Sequence, residues 1–398
     1  MNRTARPRRS PETLTRRSAS RAAAMLVLSL FLLSCATSPP ASEFARLLAL
    51  SPDHGVMVDG IPSLPYEARR SGPSSLAPLL AYWQRPALGT GDVAAAVAAE
   101  PLAPPEEVMA MLAERRNLWA FSFYGTLSEL ELRLRAGVPL LVAVQDNPVN
   151  TRTRRYMVVG GINRRAGQVL VQEGAREATV YEINAFTRLW RPTRNWTMVA
   201  CPPEKADWNL RATECVALAQ YFERRRQWYA ALEFYRQAEQ LAPHNQDLAL
   251  AKAGALFRFG NKAEAMNLYR SLLLRNNLNA RAANNLAFAM GDTGGPYDEA
   301  ERLARRALTI EPGNAGYLDT LGFVLLKAGK PREAADVLAR ARHRADYLPM
   351  EHRRAILGRL IQSYLESDQP HLARQVYLDH LAGDPGFVLA EDLRRRLP

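Results

Sequence analysis

Apolar residues recur at three- and four-residue spacing through the second half of the chain, which is the period of amphipathic helices. Leu286 and Met290 form one such pair, and Leu321 and Leu325 form another. Alanines return at a longer period in the same region, with spacings of 34, 35 and 34 residues. These alanines are Ala231, Ala265, Ala300 and Ala334. The pattern predicts an array of helix pairs in which small residues let the paired helices approach closely.

The repeating segments resemble tetratricopeptide repeats over about residues 206–385. Gly260 and Gly329 fall where a first helix must turn into a second. A fifth, more degenerate copy runs through Ala373 and ends at Pro385. The resemblance implies an all-α tetratricopeptide-repeat solenoid over residues 206–398, with four clear copies and one degenerate copy. The alternative is a generic helical bundle.

In tetratricopeptide repeats, one face of each first helix lines a concave groove that binds extended or helical peptides. The resemblance places on that face Gln220, Leu250, Phe257, Asn284, Phe288, Asp319 and Phe323. The phenylalanines could instead belong to the core between helices. Asn284 and Asp319 are harder to place in a core, because burying them unpaired costs about 1–3 kcal/mol.

The first half of the chain has a different pattern. Helical periodicity predicts helices over residues 72–84, 92–99, 105–115 and 127–136. A continuous apolar run over residues 138–145 indicates a buried strand, and further strands are predicted over 156–162, 168–172 and 196–200. Helices followed by an antiparallel sheet indicate an α+β domain, which we expect over residues 56–203.

Three short motifs mark this α+β stretch. Ser71-Gly72-Pro73 opens the first helix, Arg155-Tyr156 opens a strand, and Glu173 follows the next strand. Over about 145 residues the stretch resembles the papain-like group that includes the bacteriocin double-glycine leader peptidases. In that family Cys-Gly-Pro opens the helix, His-Tyr or His-Phe opens the strand, and Asp or Asn follows. The resemblance implies a papain-like fold whose catalytic positions fall at Ser71, Arg155 and about Glu173.

The chemistry of that family is missing from this chain. A cysteine peptidase needs a thiolate and an imidazole that takes its proton. Residues 56–202 contain no histidine, and their only cysteine is Cys201. The family's oxyanion glutamine is also absent, because Tyr66 and Glu67 occupy that stretch. We therefore expect a catalytically degenerate scaffold that is not an enzyme, with Arg155 and Glu173 forming an ion pair and Ser71 capping its helix.

Two other interpretations of these positions remain open. Ser71 could act as a nucleophile if a carboxylate such as Glu173 accepted its proton, since Arg155 has too high a pKa to do so. Alternatively, Arg155 and the helix N-terminus could hold the carboxylate of a peptide.

The N-terminus has the pattern of a targeting segment. An arginine-rich stretch is followed by an apolar run over residues 22–33, which is short for a membrane span. Leu32-Leu33-Ser34-Cys35 resembles a bacterial lipobox, which implies a signal peptide over residues 1–34, lipid attachment at Cys35 and a tether over residues 35–55. Ala36 after the cysteine suggests sorting to the periplasmic side of the outer membrane. An ordinary signal peptide and a transmembrane anchor are the alternatives.

Charge and cysteine content add limits to the possible functions. The formal net charge is +12, but seven arginines and one glutamate precede residue 35, which leaves +6 on the remainder. This mildly basic balance does not indicate a nucleic-acid interface.

Cys201 and Cys215 could form a disulfide in an oxidising periplasm or be two buried thiols. No residues have metal-ligand spacing, so we expect neither a metal nor a cofactor.

These observations together predict a lipid-anchored envelope protein. Its partners would be the lipid bilayer and a peptide or protein, held by the degenerate peptidase-like domain and the tetratricopeptide groove. The alternatives are an active hydrolase that uses Ser71 and a purely structural envelope protein.

Overall fold

The computed structural model describes residues 41–64, 71–88, 92, 103–145, 154–173 and 177–398. The chain forms two compact units, one extending to Trp208 and the other beginning at Asn209. Apart from Asp92, the helix expected over residues 92–99 lies outside the described residues, as do the signal peptide and Cys35.

The first unit contains a seven-stranded antiparallel sheet. The strands are β1 (Gly55–Met57), β2 (Trp119–Tyr124), β3 (Leu140–Gln145), β4 (Arg154–Asn163), β5 (Gln168–Gln172), β6 (Thr179–Glu182) and β7 (Trp196–Cys201). Their order in the sheet is β2-β7-β3-β4-β5-β6, and β1 pairs with the C-terminal end of β4. The expected antiparallel sheet is present, with β1, β2 and β6 as strands that the sequence pattern did not predict.

Five helices accompany this sheet in the described residues. They are α1 (Ala41–Ala49), α2 (Ser71–Tyr82), α3 (Pro105–Glu114), α4 (Leu127–Arg135) and α5 (Ile183–Trp190). Helices α2 and α3 share a core with one face of the sheet, where Leu79 and Met109 pack with Leu141 and Ala200. Because side chains alternate along a strand, Leu140 and Val142 of β3 belong to the opposite face.

Helix α1 corrects the expected tether. Residues 35–55 were predicted to be a polar linker, but the chain is folded from Ala41 onward. Phe44 is fully buried in a cluster with Leu170 and Val180. A Cβ at Gly161 would lie 3.0 Å from the Phe44 ring and from the Val56 carbonyl oxygen, so only glycine lets α1 and β1 both reach β4 here. The apolar residues of α1 are therefore part of the core of the first unit.

The second unit consists of five consecutive helix pairs and a short final helix. The pairs are α6 (Ala212–Arg224) with α7 (Trp228–Leu241), α8 (Gln246–Phe259) with α9 (Lys262–Arg275), α10 (Ala280–Asp292) with α11 (Tyr297–Ile310), α12 (Ala315–Lys327) with α13 (Pro331–His343), and α14 (Met350–Glu366) with α15 (Pro370–Gly383); α16 (Glu391–Arg394) follows. Each helix from α6 to α15 contacts the next along the chain, and from the second pair onward the first helices of neighbouring pairs also contact each other. This confirms the predicted solenoid of tetratricopeptide type.

Small residues occupy the crossing of the two helices in each pair. The periodic alanines of the second helices are all fully buried, and Ala373 holds the same place in the fifth pair. The first helices carry their own series, which comprises Ala219, Ala253, Ala287 and Gly322. A Cβ at Gly322 would lie 2.4 Å from Cγ of Leu338 on the paired helix. The backbones therefore approach too closely for a larger residue.

Similar capping residues recur at the ends of the first helices. Asn245, Asn279 and Asn314 each precede a first helix and accept a hydrogen bond from a backbone N–H of its first turn. Such caps satisfy donors that the helix leaves unpaired. Gly260, with φ of 102°, ends the first helix of its pair in the left-handed conformation that glycine adopts readily.

Two glycines of the solenoid allow a matched test of this packing. Gly322→Ala should destabilise the protein by about 1–3 kcal/mol, because the added methyl group has to displace Leu338. Gly358→Ala on α14 should instead stabilise it by up to about 1 kcal/mol, because nothing lies within 4 Å of the new Cβ and alanine favours the helix. Urea unfolding followed by circular dichroism measures both. Equal effects of the two substitutions would contradict the close crossing.

Candidate functional sites

The first candidate site lies where three central strands begin or end. Gln145 ends β3 and pairs with Arg154, which begins β4, while Gln172 ends β5 opposite Val158. Arg155 and Glu173 therefore reach the same end of the sheet, and Nη1 of Arg155 donates to Oε1 of Glu173. Both side chains remain partly exposed. The sheet thus brings together two of the three residues that were expected at the catalytic positions of the family that this stretch resembles.

A second ion pair lies beside the first. Glu106 of α3 is almost fully buried, and its Oε1 accepts from Nη1 of Arg154 and from the Tyr156 hydroxyl, each at 2.8 Å. Burial and then the Glu106 carboxylate raise the pKa of the Tyr156 phenol well above its ordinary value. Tyr156 is therefore a fixed hydrogen-bond donor to Glu106 rather than a proton acceptor.

Helix α2 begins next to this cluster. It starts at Ser71, and one turn later the Ser75 hydroxyl donates to the Tyr156 carbonyl oxygen at 3.2 Å. The N-terminus of α2 therefore lies alongside the first residues of β4, which include Arg155. Tyr66 and Glu67, which occupy the stretch of the family's oxyanion glutamine, lie outside the described residues.

The single histidine of the first unit lies far from this place. His54 is the only histidine of the sequence before His244. It directly precedes Gly55, which pairs with Asn163 at the far end of β4. Eight residues of strand separate Asn163 from Arg155, a distance of roughly 26 Å. Arg155 cannot act as a base either, because a guanidinium does not give up its proton at physiological pH.

The two cysteines in the described part of the chain offer no substitute nucleophile. Cys201 ends β7, and burial raises the pKa of its thiol far above the ordinary value. Burial also raises the pKa of the Cys215 thiol. Both are buried free thiols, so the disulfide considered from the sequence is not formed. Buried thiols of raised pKa are inert as nucleophiles.

The second candidate site is a row of three phenylalanines on neighbouring first helices, which we call the phenylalanine ladder. Phe257 of α8, Phe288 of α10 and Phe323 of α12 are in ring contact, with centroids 5.9 and 5.0 Å apart. All three rings are partly exposed. Three of the seven residues predicted to line the groove therefore form one continuous apolar surface.

At two equivalent positions of the first helices, one helix carries a glycine where a neighbouring helix carries a phenylalanine. Phe288 and Phe323 each directly follow the small residue of their helix, Ala287 or Gly322, whereas Gly254 occupies that place on α8. One turn later Phe257 is present on α8, and its equivalent on α10 is Gly291. A Cβ at Gly291 would lie 3.0 Å from the Phe323 ring. Gly291 therefore makes the space in which Phe323 lies.

The remaining residues predicted for the groove have different environments. Leu250 is buried in the core with Ala282 and Leu286, so it offers no surface to a partner. Gln220 is exposed on α6. Nδ2 of Asn284 donates to Oδ1 of Asn285 at 3.3 Å, while its own Oδ1 is buried without a hydrogen-bond partner. The prediction for Leu250 is wrong because the residue faces the neighbouring helices.

Asp319 is neutralised by a residue that the sequence did not identify. Nη1 of Arg359, on α14, donates to Oδ1 of Asp319 at 2.7 Å and to Oδ2 at 2.5 Å. Burial raises the pKa of Asp319, and Arg359 opposes that rise. The Arg359 guanidinium also lies 5.3 Å from the Phe323 ring centroid. This ion pair joins the fourth and fifth helix pairs at the end of the ladder.

The described residues contain neither a candidate metal site nor a candidate membrane span. No group of three His, Cys, Asp or Glu side chains there could hold a metal ion. None of the helices in that part of the chain has the length and apolar character needed to cross a membrane.

Comparison with known proteins finds solved structures only. No protein-family model and no curated protein matches the chain. A TPR protein of Thermus thermophilus is 18% identical, with coverage of 47% of this chain and 96% of that chain and a TM-score of 0.39. MamA from Desulfovibrio magneticus is 13% identical, with coverage of 42% and 92% and a TM-score of 0.36. PilW, a type IV pilus biogenesis factor, is 18% identical, with coverage of 47% and 83% and a TM-score of 0.40.

The geometry at Arg155 leads to a prediction about catalysis. The full chain in detergent should hydrolyse neither peptide nor ester substrates at acidic, neutral or mildly alkaline pH, because Glu173, the carboxylate considered as a base for Ser71, is bound to Arg155. The measurement is fluorogenic substrate turnover, together with labelling by a fluorophosphonate probe. The matched control is Ser71→Ala. Turnover or labelling that disappears in Ser71→Ala would show that the site is catalytic.

Proposed function

We propose that this chain is a lipid-anchored envelope protein that binds a peptide or protein partner through its helical repeats. The phenylalanine ladder carries this proposal. Phe257 and Phe323 pack on one side against the core of the solenoid, and all three rings in mutual contact keep part of their surface exposed. Contiguous exposed aromatic surface is typical of binding sites, because burying it against a partner contributes strongly to affinity.

The first unit is proposed to be a papain-like domain, over residues 56–203 with α1 packed against it, that no longer catalyses. Its motifs at Ser71, Arg155 and Glu173 support the family assignment. The ion pair of Arg155 with Glu173 supports the loss of activity, because it places a permanent cation where the family has a histidine. Arg155 is also occupied by Glu173, which disfavours its use as a carboxylate receptor. Domains of this kind can be retained for binding.

The anchor is proposed at Cys35, on the periplasmic side of the outer membrane. The motif Leu32-Leu33-Ser34-Cys35 supports lipid attachment, and residues 1–34 would then be removed as a signal peptide. Helix α1 begins at Ala41, six residues after Cys35. Six residues reach at most about 20 Å, so the first unit would be held close to the lipid surface. One diacylated cysteine with an amide-linked chain would anchor the protein firmly.

Site-specific crosslinking tests the binding role of the ladder. A photoreactive benzoylphenylalanine at position 288 should give covalent adducts in intact cells of the native host, because position 288 lies in the centre of the ladder. The control places the same residue at Leu274 on α9, which is apolar and 88% exposed but lies outside the ladder. Phe323→Ala should reduce the adduct at position 288 several-fold. Equal crosslinking at both positions, or none at 288, would contradict a partner-binding ladder.

Metabolic labelling tests the anchor. Cells that express the full chain should incorporate an alkyne fatty acid into the protein, and Cys35→Ser should abolish both the label and recovery in the membrane fraction. Cys215→Ser serves as the control, because that buried thiol is proposed to have no part in lipidation. Membrane recovery of Cys35→Ser at the level of the unchanged chain would rule out lipidation as the anchor.

A further inference from the structure

Two cations lie against the same ring at one end of the phenylalanine ladder. The guanidinium of Arg359 is 5.3 Å from the Phe323 centroid, and Nζ of Lys327 is 5.8 Å from it. Lys327 is exposed and forms no ion pair with any residue in the described part of the chain. A cation beside an aromatic face is favourable in itself, but it also gives the surface around Phe323 a positive potential.

Arg359 has donors left over after it neutralises Asp319. Only Nη1 is bonded to that carboxylate, whereas Nε and Nη2 have no hydrogen-bond partner among the described residues. Nε and Nη2 form one of the two edges of a guanidinium that can bind a carboxylate in bidentate fashion. Asp319 therefore fixes the orientation of Arg359 while leaving a carboxylate-binding edge unused.

The other end of the ladder lacks this arrangement. Lys262 lies 5.6 Å from the Phe257 centroid, but its Nζ is bonded to Oδ2 of Asp292 at 2.7 Å. The charge of Lys262 is therefore largely compensated. Beside Phe323 the charge of Arg359 is likewise compensated by Asp319, whereas Lys327 has no carboxylate partner among the described residues.

We propose that Phe323, Lys327 and Arg359 form a subsite for a carboxylate next to a large apolar side chain of the bound peptide. This inference rests on the proposed binding role of the ladder and adds the chemistry of the partner. The apolar side chain would cover the Phe323 ring, and the carboxylate would bind Nε and Nη2 of Arg359 with Lys327 nearby. The carboxylate is either the C-terminus of the partner or an Asp or Glu side chain.

Designed peptides distinguish these possibilities. The probes are short fluorescein-labelled peptides with leucines at helical spacing of about one turn, so that they match the ladder, and with Glu or Gln after the last leucine. Each is made with a free C-terminus and as an amide. Fluorescence anisotropy with the full chain in detergent measures their affinities. We expect free-acid or Glu probes to bind about fivefold or more tightly than neutral probes, and added salt to reduce that preference.

Variants test which residues cause the preference. Lys327→Gln should reduce it several-fold, and this exposed substitution leaves the fold intact. Arg359→Gln alone would leave Asp319 buried without a partner, so it is combined with Asp319→Asn, and the double variant should abolish the preference. Circular dichroism confirms folding. The matched control is Lys262→Gln, which removes the lysine beside Phe257 and should leave the preference unchanged.

The outcomes separate this inference from the proposed function. A preference that persists in the amides identifies a side-chain carboxylate, and one confined to free acids identifies a C-terminus; both support the subsite. Equal binding of charged and neutral probes overturns the subsite, while the ladder remains a binding surface. Absence of binding by every probe, although position 288 crosslinks in cells, also overturns the subsite. Absence of both binding and crosslinking overturns the proposed function as well.

Discussion

The close crossing of the two helices in each pair is the constraint on which the second unit depends. Small residues on both helices remove the side chains that would otherwise hold the backbones apart, and at Gly322 the structure leaves no room for one carbon atom. This close crossing also fixes the position of the residue that directly follows the small residue on each first helix. Phe288 and Phe323 are the residues in that place, which is why their rings meet at 5.0 Å. The ladder is thus a direct consequence of how the helices pack.

The start of β4 depends on electrostatics in the first unit. Arg154 and Arg155 are consecutive, so their side chains point to opposite sides of the strand, and each has its own carboxylate, Glu106 or Glu173. Removing Glu106 or Glu173 would take away the ion pair on that side of the strand. The two ion pairs therefore contribute to the stability of this end of the sheet. A histidine in place of Arg155 could exchange a proton, whereas arginine holds its charge at every physiological pH.

Local signals explain which elements could be predicted from the sequence. Helix α4 matches its prediction because Thr126 and Glu129 form a capping box and Gly137 ends the helix with φ of 74°. Strand β5 matches because it is apolar and bounded by turn residues. Strands β1 and β6 have three and four residues, too few to show a period. Helix α1 was missed because its amphipathic pattern was interpreted as part of a tether.

Contacts distant in sequence explain what could not be predicted at the sites. The phenylalanines were assigned to one surface by the resemblance to tetratricopeptide repeats, in which one face of each first helix lines the groove. Arg359 was not identified because it pairs with Asp319 across 40 residues and belongs to the most degenerate copy. Leu250 was misplaced because the resemblance shows the position of a residue on its helix but not whether neighbouring helices cover it.

The ladder is chemically asymmetric, which has a consequence for any ligand. All three rings offer the same apolar contact, so they cannot by themselves distinguish one direction of a bound peptide from the other. Lys262 at the Phe257 end is compensated by Asp292, whereas Lys327 at the Phe323 end is not. Asp319 holds Arg359 at that same end, where Nε and Nη2 of the guanidinium have no hydrogen-bond partner among the described residues. The ion pair that joins the fourth and fifth helix pairs therefore makes the two ends of the ladder chemically different, and in the proposed complex this difference would favour one direction of a charged peptide.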